Sequence, residues 1–204
     1  YKQRGDRKMF YSAFRVFITG IFKIIFRLSF EGVENLPKEG GYVYASNHRS
    51  NADPILVTLK IRKRCAYMAK EELFKNPFLS LLIKAFGAFP VVRGKGDMAV
   101  IDQSVEKLKK GKNLVIFPEG TRSKDGKVGR GKTGVALIAA RSNVDVVPVG
   151  VCFEGDLGFR KKVVIRYGKP ISASELQISE NPTPKELKQL KLTIMGSITE
   201  LVER

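Results

Sequence analysis

Histidine is almost missing from this 204-residue chain: there is one, His48, together with no tryptophan and two cysteines, Cys65 and Cys152. A lone imidazole and two distant thiols, neither in a C-x-x-C pair, scarcely supply the ligands of a zinc site, so no metal is expected. Isolated cysteines in a core-forming chain read as buried thiols of a reducing compartment rather than as a disulfide framework. Acids are also scarce: 20 Asp plus Glu face 37 Lys plus Arg, for a net charge of +17. That excess points to a polyanion, whether nucleic acid, anionic lipid head groups or an acidic protein, and its sign alone does not choose among them. Long apolar runs are lacking too. The greasiest stretch, 9–30, has 15 apolar residues of 22, but Arg15, Lys23 and Arg27 interrupt it. Its longest uncharged piece, 16–22, falls well short of the ~18 residues of a spanning helix.

What is present suits one globular domain. The length allows a sizeable core, and the 43% apolar content is ordinary. On a helix, Arg15, Thr19, Lys23 and Arg27 form one narrow polar stripe, and Phe14, Phe17, Ile18, Ile21, Phe22, Ile24, Ile25 and Phe26 occupy the remaining arc. A broad apolar face with a basic stripe suits a helix lying in a lipid interface, with Phe14, Phe17, Ile18, Ile21, Phe22 and Ile25 as the membrane-contacting residues. The competing reading is a helix packed on the core; no small-residue cleavage site follows, which argues against a signal peptide. The expected organisation is therefore an interfacial helical segment, 1–30, and a domain, 31–204.

Within that domain short β-like runs alternate with helical ones. Residues 41–46, 65–69, 89–92, 113–117, 146–153 and 163–167 predict strands, and 54–59, 77–86, 97–110 and 131–141 predict helices. In the third of these helices Met98, Ile101, Val105 and Leu108 share a face. A last helix opens with the capping box Thr183-Pro184-Lys185-Glu186. The alternation implies an α/β fold, a central mixed sheet flanked by helices. The apolar stretch 77–90 suits a core helix and lipid contact equally.

Any imidazole chemistry must use His48, which follows the predicted strand 41–46 within Asn47-His48-Arg49-Ser50-Asn51-Ala52-Asp53-Pro54. Ligands of open α/β sheets bind at the carboxyl ends of strands. Asp53, five residues on, can hold His48 in one tautomer and raise its basicity, as a general base requires. Asp53-Pro54 also reads as a helix cap followed by Pro at the first helical position, and the two roles can coexist.

These residues resemble the glycerolipid acyltransferases. Asn47 to Asp53 looks like that family's H-x4-D block, Gly87-Ala88-Phe89-Pro90-Val91-Val92-Arg93-Gly94 its second, Phe117-Pro118-Glu119-Gly120-Thr121-Arg122-Ser123 its third and Val147-Pro148-Val149-Gly150-Val151 its fourth, all in family order. The resemblance implies direct acyl transfer, without a covalent intermediate, from an acyl carrier protein or coenzyme A thioester to the sn-2 hydroxyl of 1-acyl-sn-glycerol 3-phosphate. Glycerol 3-phosphate or another lysophospholipid is the alternative acceptor. His48 is then the base and Asp53 its partner. Arg122, with Arg93 and Lys70, holds the phosphate, while Glu119, Gly120 and Thr121 shape the substrate loop. No cofactor is implied beyond the thioester co-substrate. Anionic lipids are the expected partners, and the expected location is the cytoplasmic face of a cell membrane.

Two rivals are weaker. Gly126 to Thr133 fits the P-loop pattern, but eight residues separate it from its strand, which a P-loop should follow directly. Nucleic-acid binding rests on charge alone, since the aromatics are not interleaved with the basic loops.

Overall fold

The computed structural model describes residues 2–85, 87–91, 97–172, 174–175, 178–179 and 181–204, with side chains from residue 13 onward except at 79, 82, 85 and 97. In chain order the elements are α1 (Lys2–Ile25), β1 (Arg27–Glu31), β2 (Val43–Ser46), α2 (Asp53–Thr58), β3 (Cys65–Lys70), α3 (Pro77–Ala85), β4 (Ala88–Val91), α4 (Asp97–Lys109), β5 (Asn113–Ile116), α5 (Gly134–Ser142), β6 (Val146–Cys152), β7 (Lys162–Tyr167) and α6 (Pro184–Glu203). The strands form one mixed sheet in the order β1-β7-β6-β2-β5-β3-β4. Only the β6–β7 pairing is antiparallel among these. The carboxyl ends of β2, β3, β4, β5 and β6 therefore share one edge, where the first and third sequence blocks follow β2 and β5.

Alternation along each strand divides the core. Val43, Ala45, Leu114 and Ile116 point to the side covered by α4, α5 and α6, where Ile101, Val105, Leu108, Leu190, Ile194 and Ile198 are buried. Tyr44, Val115, Val147, Val149 and Ile165 face the other side, against Leu56 and Val57 of α2 and Ile18, Phe22 and Ile25 of α1. The central strands are apolar on both faces, as parallel strands between two helical layers must be. Met98, expected on the buried face of α4, is exposed. The capping box of α6 forms as expected, with Thr183 and Glu186 each receiving the other's backbone N–H.

The N-terminal segment departs from expectation in two ways. The helix stops at Ile25, and Arg27, assigned above to its polar stripe, lies in β1, which pairs in parallel with β7. This strand, ending at Glu31, straddles the expected division after residue 30. The stripe also does not face solvent as a unit. Arg15 turns inward and donates from Nη1 to Leu59 O at 2.7 Å, while Ile18, Phe22 and Ile25 pack on the core. Val16, Phe17 and Ile24 are left exposed, as are Phe78 and Leu81 of α3, whose Ile83 points inward. An apolar arc wider than half a helix covers both surfaces, so periodicity alone could not say which half meets the domain. Among the described residues no helix is long and apolar enough to cross a membrane.

Candidate active site

β2 ends in a side chain that prolongs its ladder. The buried Asn47 amide donates to Val151 O at 2.9 Å and accepts from Val151 N–H at 2.8 Å, pairing with β6 as a further backbone rung would. His48, the next residue, thus leaves the sheet from a fixed point. Its ring stacks on Phe117 at the end of β5, with centroids 4.2 Å apart and planes 23° apart.

The spacing of His48 and Asp53 closes into a tight polar loop. His48 Nδ1 lies 2.8 Å from Asp53 Oδ2, and the same oxygen accepts the backbone N–H groups of Arg49 at 2.6 Å and Ser50 at 2.7 Å. Asp53 is the first residue of α2, with Pro54 behind it, but its carboxylate turns back to the preceding loop instead of capping its own helix. The helix-cap role that Asp53-Pro54 suggested is therefore not taken up by this side chain. Asp53 is wholly buried, whereas the His48 side chain keeps 18% of its surface exposed. With Nδ1–H directed at the carboxylate, Nε2 carries the lone pair and is the nitrogen available for chemistry.

A second carboxylate supports the loop from the other side. Glu119 is buried and accepts His48 N–H through Oε1 and Gly129 N–H through Oε2, each at 2.9 Å. Both of its oxygens are thus engaged by backbone N–H groups. Ser123 N–H donates to His48 O at 2.7 Å, so both backbone polar groups of His48 are held by the third block. Gly120 takes φ +73, the left-handed turn glycine allows, and Thr121 is exposed beside it. The P-loop-like segment is committed to this scaffold: Gly129 N–H serves Glu119, and Lys132 N–H donates to Pro118 O. Gly131 packs closely on Met195, and α5 begins at Gly134, three residues later than predicted.

The cations gather at the same sheet edge. Arg122 lies exposed in the turn after β5, and Lys70 ends β3, on the far side of β5 from His48. Arg93 lies outside the described residues. A cavity of about 410 Å³ opens between loops 49–51, 122–125 and 153–157, with Arg49, Arg122 and Lys124 on its walls. Sequence reasoning missed Arg49, Asn47 and Lys124; the only signal was that the first two flank His48 in its block. A larger cavity, about 480 Å³, lies near Glu31, Arg166 and Tyr167, where β1 and β7 end. Those strands run against β6, so it lies at the edge opposite His48.

Neither cysteine suits a nucleophile. Burial pushes the Cys65 thiol up to about 12 and raises that of Cys152. Among the described residues no group of three or more His, Cys, Asp and Glu side chains is placed to hold a metal.

Comparison with known proteins agrees with this architecture. A 1-acyl-sn-glycerol-3-phosphate acyltransferase of Bacillus subtilis is 30% identical over 170 residues, covering 82% of this chain and 84% of that one. A chloroplastic protein of the same description from Arabidopsis thaliana is 35% identical over 135 residues, 65% of this chain. This chain spans only 38% and 39% of the length of that protein and its Brassica napus counterpart. The crystal structure of the 1-acyl-sn-glycerophosphate acyltransferase of Thermotoga maritima superposes with a TM-score of 0.76 at 28% identity, covering 98% of this chain and 82% of that one. The family model described as Acyltransferase matches residues 27–152, which take in β1 through β6 and all four blocks, and the chain belongs to that family.

Proposed function

We propose that this protein transfers a fatty acyl group from a thioester, carried by acyl carrier protein or coenzyme A, to the sn-2 hydroxyl of 1-acyl-sn-glycerol 3-phosphate, giving phosphatidate. The observation that carries the reading is the His48–Asp53 pair, 2.8 Å apart, with the carboxylate buried and the imidazole partly open. As the hydroxyl oxygen attacks the thioester carbonyl, its proton passes to His48 Nε2. Asp53 holds the ring and stabilises the imidazolium that forms. The C–S bond then breaks, and the imidazolium returns the proton to the departing thiolate. A thiol of pKa about 8.5 leaves readily, so one well-placed base suffices without an acyl-enzyme.

Arg122 binds the acceptor phosphate through its guanidinium fork, and Lys70 adds charge from the neighbouring strand. The acceptor and product are amphiphiles, which suits an enzyme docked on a bilayer. The exposed Val16, Phe17 and Ile24 of α1, with Lys23 beside them and a net charge of +17, support docking on anionic lipid at the cytoplasmic face of the cell membrane. Phosphatidate formation from a radiolabelled acyl thioester tests the reading, with lysophosphatidate, glycerol 3-phosphate and a lysophosphodiester as competing acceptors. Product from lysophosphatidate is expected; product from another acceptor alone overturns the acceptor assignment.

A further inference from the structure

We propose that Arg49 is a positioning residue that fastens loop 153–157 to the His48 loop and so determines which acceptor head groups the adjoining cavity admits; this rests on the acyl transfer proposed above. The Arg49 side chain donates from Nη1 to Phe153 O and from Nη2 to Gly155 O, the latter at 3.1 Å. Its guanidinium carbon sits 4.1 Å from the centroid of the Phe153 ring. Two carbonyls and one ring face are what a planar fork can engage together and an ammonium cannot. With both terminal nitrogens on backbone oxygens of the 153–157 loop, the group ties two segments together. Gly126 leaves room for it: a Cβ there would lie 2.9 Å from Nη2.

Three loops wall the cavity beside His48, and Arg49 joins two of them. Residues 154–156 of the third wall are exposed, and the clamp fixes this tip between Phe153 and Leu157, which pack on the core at its two ends. Arg122, the proposed phosphate ligand, lines the second wall together with Lys124. A phosphodiester head group carries an extra substituent, which the clamped 153–157 wall excludes. The His48–Asp53 pair does not depend on the clamp in the same way, because Asp53 Oδ2 receives the backbone N–H of Arg49, which any side chain at this position retains. Loss of the side chain therefore falls on acceptor binding and selectivity more than on the chemical step.

The test compares the wild type with Arg49→Met, Arg49→Lys and Phe153→Leu on vesicles. It measures kcat and KM for lysophosphatidate, selectivity over lysophosphatidylethanolamine, and amide hydrogen exchange of 153–157. For Arg49→Met, KM is expected to rise about tenfold, by more than kcat falls, with selectivity narrowing by a similar factor. Exchange of 153–157 quickens, and Arg49→Lys does not restore the wild-type values. Phe153→Leu keeps both carbonyls, shows a smaller change in the same direction, and with Arg49→Lys serves if Arg49→Met does not fold. Unchanged KM and selectivity overturn the proposal, as does a fall in kcat at constant KM, which would place Arg49 with the dyad. If the wild type acylates no lysophosphatidate, the acyl-transfer reading fails by itself; the clamp is then judged by exchange, and unchanged protection of 153–157 overturns it.

Discussion

The Glu119 carboxylate accepts the backbone N–H of His48 at 2.9 Å, so a residue of the third sequence block holds the imidazole of the first by its main chain. The other oxygen of Glu119 takes Gly129 N–H, and a Cβ at Gly129 would lie 2.8 Å from that oxygen. The contact thus requires glycine there. Glu119→Ala leaves two N–H groups without an acceptor, and a loss of about 2 kcal/mol or more in unfolding free energy is expected by urea titration. Activity is expected to fall with it, and Glu119→Gln, which keeps one acceptor oxygen, to lie between.

The two faces of α1 separate lipid docking from folding. Val16, Phe17 and Ile24 are 64%, 64% and 68% exposed, while Phe22 packs on the core. Replacing the three exposed residues with serine is expected to weaken flotation with anionic vesicles and leave the melting temperature within a few degrees. Phe22→Ala is expected to cost about 2 kcal/mol of stability, as truncation of a partly buried aromatic does.

Acceptor binding is expected to depend on Arg122. In Arg122→Ala, KM for lysophosphatidate rises by about tenfold or more, and Arg122→Lys recovers part of it, since an ammonium supplies charge without the bidentate fork. Steady-state kinetics at two salt concentrations check this, because a phosphate contact loses weight as salt rises.

Alkaline stability follows from groups buried as neutral acids. The Cys65 thiol is held up at about 12, from an ordinary 9.0, and burial also raises the Tyr44 and Tyr167 phenols. As pH rises past about 9 for the thiol and about 10 for the phenols, the unfolded chain releases these protons and the folded chain keeps them, so the unfolded state binds fewer protons and gains. The contribution is complete below about pH 9 for the thiol and below about pH 10 for the phenols, and above those values it is lost at about 1.4 kcal/mol per pH unit for each group. Cys65→Ala is expected to shift the whole stability curve and to flatten its decline between pH 9 and 12, measured by urea unfolding across that range.

Most of the sheet was readable from the sequence because its strands are short, largely apolar runs set off by loops. The meeting of His48 and Asp53 was readable because one short loop spans it. β1 was hidden because Arg27–Glu31 continues the apolar spacing of α1, and its partner β7 is more than a hundred residues away. The inward turn of Arg15 and the clamp of Arg49 share another cause. Their acceptors are backbone carbonyls of Leu59, Phe153 and Gly155, and a carbonyl leaves no mark in the choice of residue. Glu119 was readable as a loop-orienting residue, but its two N–H partners were not, for the same reason.

Whether His48 is the base of acyl transfer is read from phosphatidate formation by wild type and His48→Ala on vesicles containing lysophosphatidate. The wild type is expected to form product and the variant to do so at a rate at least about a hundredfold lower, the low end of what a general base supplies, with vesicle binding unchanged. Equal rates in the two proteins would contradict the account, leaving the reaction without this base.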